Sequence, residues 1–292
     1  MQSRALTGGA LLLGLALCCA PAAPGAAAPA QRIVSLAPNL TELVYSAGAG
    51  DRMVGADAYS DFPAAARTLP RVGDAFQVDY ERVLALHPDL VLVWDTGTPE
   101  PVIEKLKRLN LHVERINTSK LGDIAAAIEH IGALAGTEAQ AARAATQFTA
   151  AIEELRREHA HDGAVSVFFQ ISAVPLFTVN GEHLISDILG VCGAHNIFAD
   201  LKQLAPPVSV EAVLQRNPQV IMAGNDSDQA DDPLARWRRW PQLAAVRHDN
   251  LYLVSADRIA RSTTRVAAGT KEVCDLLAEA RAHLAAAAAR AP

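Results

Sequence analysis

The chain has few of the residues that usually announce chemistry. Only 5% of its 292 residues are aromatic, and it contains four cysteines. It has no Walker A loop, no GxGxxG, no GxSxG and no HExxH. Those gaps remove the sequence signatures of phosphate cradles, dinucleotide sites, hydrolase nucleophile elbows and zinc proteases. The nine histidines are scattered and supply no metal site, which needs three or four converging ligands. Asp and Glu are plentiful, yet none stands out as a catalytic pair. That leaves an enzyme unsupported rather than excluded, because triads are assembled in space and not in sequence. Positive charge is not in excess either: the net charge is −6, and no basic stripe exists to displace the counterions of a nucleic acid.

What is present begins with an address. Arg4 is followed by one apolar run, Ala10 to Ala20, and by a small-residue tail ending in Ala28-Pro29-Ala30. The run is too short to span a bilayer, and nothing later is both long and apolar enough. Residues 1–30 therefore read as a secretory signal peptide, with cleavage favoured before Gln31. Cys18 and Cys19 raise a lipoprotein signal as the alternative, although Leu17 stands where a lipobox calls for a small residue. About 260 residues remain, enough for one large domain or two small ones. Of the cysteines only Cys192 and Cys274 survive processing. In an exported chain an even pair reads as a disulfide, with two buried free thiols as the alternative. Closing a loop of that length is worth roughly 4.5 kcal/mol in the chain-entropy picture.

The most informative feature is an internal repeat. The segment from Asp79 to Val93, with Glu81, Val83-Leu84 and His87-Pro88, can be laid over Ser209 to Ala223, with Glu211, Val213-Leu214 and Asn217-Pro218. Each copy opens on a helix-capping residue, Asp79 or Ser209. Each stops ahead of a proline, which disfavours helical geometry in the residue before it, and runs on into an apolar stretch of strand length. A unit repeated this closely predicts two lobes of similar construction.

The remaining pattern fits α/β lobes with mainly parallel sheets flanked by helices. Residues 33–36, 53–56, 90–94 and 113–116 read as strands of an N-terminal lobe spanning 31–136. Residues 165–171, 220–222 and 251–254 read as strands of a C-terminal lobe spanning 161–292. Asn39 with Glu42, and Thr137 with Gln140, look like capping boxes; Ser119 opens a further helix ending near Gly136. Between the lobes, 137–160 contains no Gly or Pro and carries Phe148, Ile152 and Leu155 on one stripe. It predicts one long rigid connecting helix of about 35 Å.

These residues resemble the periplasmic substrate-binding proteins of the helical-backbone class, which serve ABC importers of vitamin B12, haem and iron-siderophores. The resemblance covers essentially the whole mature chain. It rests on Arg32-Ile-Val-Ser-Leu-Ala-Pro38, Thr41-Glu42-Leu43, Val54-Gly55 and the stretch from Glu81 to Val93. The chain is most similar to the vitamin B12-binding subgroup, through Tyr59-Ser-Asp61-Phe62-Pro63, Trp94, Val191-Cys-Gly193, Asn196-Ile-Phe198, and Asp257 followed by Arg261. The resemblance implies a disulfide between Cys192 and Cys274. It further implies a cleft in which Tyr59, Trp94 and Phe177 offer aromatic faces and Asp257 and Arg261 offer polar groups. Two tryptophans of the subgroup are missing: Phe76 stands in for one, while Ala205 leaves the other unreplaced. Trp237 and Trp240, in the basic segment Arg236 to Trp240, are not assigned to the cleft.

The implied function is capture of a corrinoid, cobalamin or a relative, between two lobes in the periplasm. Delivery is then to an ABC permease dimer in the inner membrane, with Glu81 and Glu211 docking one on each permease subunit. No cofactor, no metal and no nucleic acid are expected, and the carrier is expected to act as a monomer. A haem or ferric-siderophore carrier remains the alternative within the class, because Arg258, Arg261 and Arg265 suit carboxylates. A periplasmic hydrolase is the alternative outside it. For Tyr59 and Trp94 the competing reading is core packing; for Asp257 and Arg261 it is a surface ion pair one helical turn apart.

Overall fold

The computed structural model describes residues 28–225 and 232–290. The proposed leader up to residue 27 lies outside them, whereas Ala30 is buried, its N–H donating to the carbonyl of Leu134 at 2.8 Å. The first lobe runs β1 (Ile33–Ser35), α1 (Pro38–Ser46), β2 (Met53–Ala56), α2 (Tyr80–Ala85), β3 (Leu90–Trp94), α3 (Glu100–Arg108) and β4 (Val113–Ile116). Then come α4 (Leu121–Ala135) and α5 (Glu138–Glu158). The second lobe runs β5 (Val165–Gln170), the hairpin β6 (Ser172–Ala173) and β7 (Leu176–Phe177), α6 (Leu184–Val191) and β8 (Ala194–Asn196). It continues with α7 (Val210–Arg216), β9 (Val220–Asn225), α8 (Ala244–Arg247), β10 (Leu251–Ser255), α9 (Ala256–Ile259) and α10 (Val266–Arg290).

Both main sheets are parallel, with strand orders β2-β1-β3-β4 and β8-β5-β9-β10. Counting only the main-sheet strands of each lobe in chain order, the two orders are the same. The repeated segments occupy equivalent places, α2 leading into β3 and α7 into β9. Asp79 accepts from the N–H of Arg82 and Ser209 from that of Ala212. His87 and Asn217, each before a proline, both sit at φ 44°, the left-handed turn that ends the helix.

Strands buried on both faces explain the continuous apolar runs. In β3, Leu90 and Leu92 face one core and Val91 and Val93 another; in β5 and β9, Val167 and Met222 divide from Phe168 and Ile221 in the same way. The core that holds Leu90, Leu92, Val167 and Met222 is common to both lobes. It is filled by Leu40 and Leu43 of α1, Ile128 of α4, Phe148 and Ile152 of α5, Ile188 of α6 and Leu277 of α10. The other faces keep private cores, one on Ile103 and Leu106 of α3, one on Phe168, Phe198 and Trp237. The connecting helix of 21 residues, about 31 Å long, is thus one wall of a shared interior and not a lone strut. Cys192, at the end of α6, is bonded to Cys274 in α10 across 82 residues.

Both expected capping boxes fail, for tertiary reasons. In α1, Ala37 is the capping residue and Pro38 fills the first turn; the Glu42 carboxylate turns inward to an arginine instead. At α5, Thr137 makes no side-chain cap and its hydroxyl is buried without a partner among the described residues, while the Gln140 side chain packs over Gly48. The preceding helix starts at Leu121, where Asp123 accepts from the Lys120 N–H at 3.0 Å, and closes on Gly136 at φ 63°. Ser119 stays outside it, its hydroxyl donating to Asn117.

Candidate ligand-binding cleft

In parallel sheets the loops that leave the carboxyl ends of strands converge on one rim, which is where open α/β folds bind ligands. Here six of the large exposed apolar side chains lie on such loops: Tyr59, Phe62 and Phe76 after β2, Ile171 and Val174 after β5, and Leu204 after β8. Tyr59 and Phe76 are 66% and 74% exposed. The same local device presents both rings. Asp57 accepts from the Tyr59 N–H and Asp74 from the Phe76 N–H, each at 2.8 Å, an aspartate turning the backbone two residues ahead of itself. Burial pushes the Asp57 carboxyl above the usual carboxylate range, although the Tyr59 N–H pulls it down.

Trp94 ends β3 at the mouth between the lobes. It lines a cavity of about 100 Å³ together with Thr118 and Ser119 of the first lobe and His183, Leu204 and Ala260 of the second. Gly97 lies against its ring, where any Cβ would come within 2.0 Å of Cε3, and the indole N–H is buried without a partner among the described residues. The larger cavity, about 610 Å³, opens beside it in the second lobe, at the ends of β5, β9 and β10. It shares His183 and Ala260 with the first. Phe177 sits half-buried in the hairpin and lines neither cavity. Trp237 is fully buried, edge-on to Phe168, with its N–H donating to Gln170 at 2.8 Å.

Ion pairs bridge the lobes. Glu42, 3% exposed, takes Arg265, the residue just before α10, in a two-pronged pair at 2.6 and 2.9 Å, and that guanidinium lies 4.6 Å over the ring of Phe62. Arg261 bonds Asp61 of the first lobe and lies 3.3 Å from Asp257, one turn earlier in its own segment. Burial works against the ionised Asp61 carboxylate, but the bond and charge of Arg261 outweigh it and hold the pKa below the ordinary value. Arg258 lies 3.6 Å from Glu272. Asp257 and Arg261 therefore do form an ion pair one turn apart, while Arg261 also reaches across the cleft. Nothing in a local sequence window points to the pairs Glu42–Arg265 and Asp61–Arg261, whose members are 223 and 200 residues apart.

Glu81 and Glu211 are exposed in the first turns of α2 and α7. Both helices run back antiparallel to their strands, so their starts lie on the same rim as the cleft, one per lobe. The Glu211 carboxyl is held below its usual pKa by its own backbone N–H and the Ser209 hydroxyl. Among the described residues there is no cluster of metal-ligating side chains.

A family model for periplasmic binding proteins matches residues 33–257. The vitamin B12-binding protein of Vibrio cholerae is 36% identical over 250 residues, covering 85% of this chain and 90% of its own length. The crystal structure of the periplasmic vitamin B12 binding protein of Vibrio cholerae superposes with a TM-score of 0.80 at 34% identity, over 87% of this chain and 98% of that one. A periplasmic heme-binding protein from Roseiflexus has the same fold, with a TM-score of 0.75 at 20% identity over 86% and 98% of the two chains. With a shared two-lobe architecture and a match over most of its length, this chain belongs to the periplasmic binding protein family.

Proposed function

We propose that the chain captures a corrinoid, cobalamin or a close relative, between its lobes in the periplasm and delivers it to an ABC import permease. The observation that carries the choice of ligand is the charge balance of the cleft. Among the described residues, the three arginines that the sequence offered to an anion are each matched: Arg265 by Glu42, Arg261 by Asp61 and Asp257, Arg258 by Glu272. Such a cleft suits a macrocycle with apolar faces and uncharged rim amides better than a polyanionic siderophore or a haem with two propionates. Aromatic rings at Tyr59, Phe76 and Trp94 give the faces something to stack on, and the similarity to vitamin B12-binding relatives points the same way. Phe177, Asp257 and Arg261 complete the proposed ligand set. No bond is made or broken; the chain is a carrier and acts as a monomer, with its leader removed.

Glu81 and Glu211 are the proposed docking groups, one for each subunit of a permease dimer. Calorimetric titration with cobalamin, cobinamide, haem and a ferric siderophore tests the ligand. Tight corrinoid binding with weak haem binding is the expected result. Tyr59, an exposed phenol at the rim, is the observation that makes haem the right competitor, and preferential haem binding would overturn the proposal.

A further inference from the structure

The larger cavity belongs to the second lobe alone, and its wall differs from the rest of the cleft. Phe169, Ile185, Ala223 and Ile259 make it apolar, and no described residue lining it carries a charge. Its polar side chains are Gln170, Ser172 and His183. Gln170 is committed elsewhere, accepting from the Trp237 indole at 2.8 Å and donating to the Pro233 carbonyl at 2.9 Å.

His183 is not. Its Nδ1 accepts from the N–H of Ile185 at 3.1 Å and so caps α6. That bond places the proton of the neutral ring on Nε2, and no described group meets Nε2. Burial, followed by the charge of Lys120, pushes the ring's pKa down to about 4, so it is neutral at physiological pH. The ring lines both cavities, as does Ala260, so the two residues form the neck between them.

We propose that the second-lobe cavity is a subsite for an uncharged, hydrogen-bond-accepting arm of the ligand, with the Nε2–H of His183 as its fixed donor. The inference rests on the corrinoid reading, because the amide arms on a corrin rim are groups of that class. It also sets a specificity rule. A histidine whose other nitrogen is held by its own helix is a donor and not an axial ligand, so it reads the periphery of a macrocycle rather than its metal. Among the described residues lining the cavity, an anionic arm would find one neutral donor and no cation.

Two variants test this without touching the core. In His183→Asn the shorter side chain still caps α6 but no longer reaches the neck. Ala260→Phe fills the neck from an exposed position. Wild type and both variants are titrated with cyanocobalamin by calorimetry and melted in parallel. His183→Asn is expected to bind roughly tenfold more weakly, the loss of one buried hydrogen bond, at an unchanged melting temperature. Ala260→Phe is expected to lose at least as much. Long-range 1H–15N spectra of histidine-labelled protein should show the Nε2–H tautomer between about pH 5.5 and 8. If the wild type binds cyanocobalamin and both variants match it, the subsite is wrong while the corrinoid reading stands. If the wild type does not bind cyanocobalamin, both fall. Should His183→Asn melt lower, Ala260→Phe decides alone.

Discussion

The two lobes carry sheets of the same strand order, yet the loops leaving those sheets have opposite characters. In the first lobe, aspartates at 57 and 74 hold exposed rings at 59 and 76, and the carboxylates of Glu42 and Asp61 face across the cleft. In the second, arginines at 261 and 265 answer those carboxylates, and a neutral cavity opens beside His183. The frame was used twice and the binding surface was not. Sheets, capped helices and pre-proline turns are repeated because they satisfy backbone and core demands common to any such lobe. The rim loops are free of those demands and can differ.

The equivalence of the lobes is tested most severely at the permease. Glu81→Ala with Glu211→Ala should keep ligand affinity and lose uptake and ATPase stimulation in reconstituted vesicles, with each single change costing a comparable part. If the carboxylates serve only the helix dipoles, the double variant transports normally and loses a little thermal stability. Normal transport would end the docking proposal.

The difference between the lobes is concentrated at Glu42 and Arg265. Removing Glu42 as alanine strands a partly buried guanidinium, and we expect a loss of about 3 kcal/mol in urea unfolding. A change below about 0.5 kcal/mol, the level of an exposed pair, would show that the lobes are joined by the shared core alone.

The tryptophans separate site from scaffold. Trp94→Ala should weaken corrinoid binding by roughly 1 to 3 kcal/mol through lost apolar contact and stacking. Gly97→Ala should act in the same direction by pushing the ring aside. Trp237→Phe removes one buried hydrogen bond, worth about 1 kcal/mol, and should be felt in stability more than in affinity. Calorimetry alongside thermal melts checks all three; an unchanged dissociation constant for a folded Trp94→Ala removes Trp94 from the site.

The smallest expected effect is at Asp61. Because its folded pKa is lowered below the ordinary 3.8, its contribution is complete above that value and disappears as pH falls through the folded pKa. Asp61→Asn should therefore lower stability by less than about 1 kcal/mol near neutrality, since the group is exposed. It should also flatten the acid limb of the stability curve below about pH 4. An acid limb identical to wild type would exclude Asp61 from the bridge.

Much of the frame was legible. Strands at 53–56, 90–94 and 113–116 coincide with β2, β3 and β4, because apolar runs bounded by prolines and polar turns leave little choice. The repeat pointed to equivalent helix-strand units, and the structure places them at equivalent positions in two sheets. Among the strands, two kinds were not read. One is β8, three residues with His195 in the middle, too short to show a period. The other is the hairpin of β6 and β7, whose strands are two residues each. The helix caps at Asn39 and Thr137 were misread, since the same residue types serve capping and tertiary contact equally well. In the site, aromatic residues on rim loops were visible through the family resemblance. His183 and Gly97 were not, because a histidine before a helix and a glycine after a strand have many uses.

Sequence by itself determined most strands of the two main sheets, the helix starts at Asp79 and Ser209, the doubling of the frame, and the bonded pairing of Cys192 with Cys274 that the family resemblance implied. Each depends on local preference, periodicity or matching residues, which need no third dimension. Tertiary structure alone decided that α1, α4, α5, α6 and α10 merge both lobes into one core, which makes the lobes hold together across a whole wall and not through a single helix. It alone brought Glu42 to Arg265, 223 residues away, and turned His183 into a donor at the neck of a cavity. Contacts at such separations depend on how sheets and helices stack, and no window of sequence contains both partners.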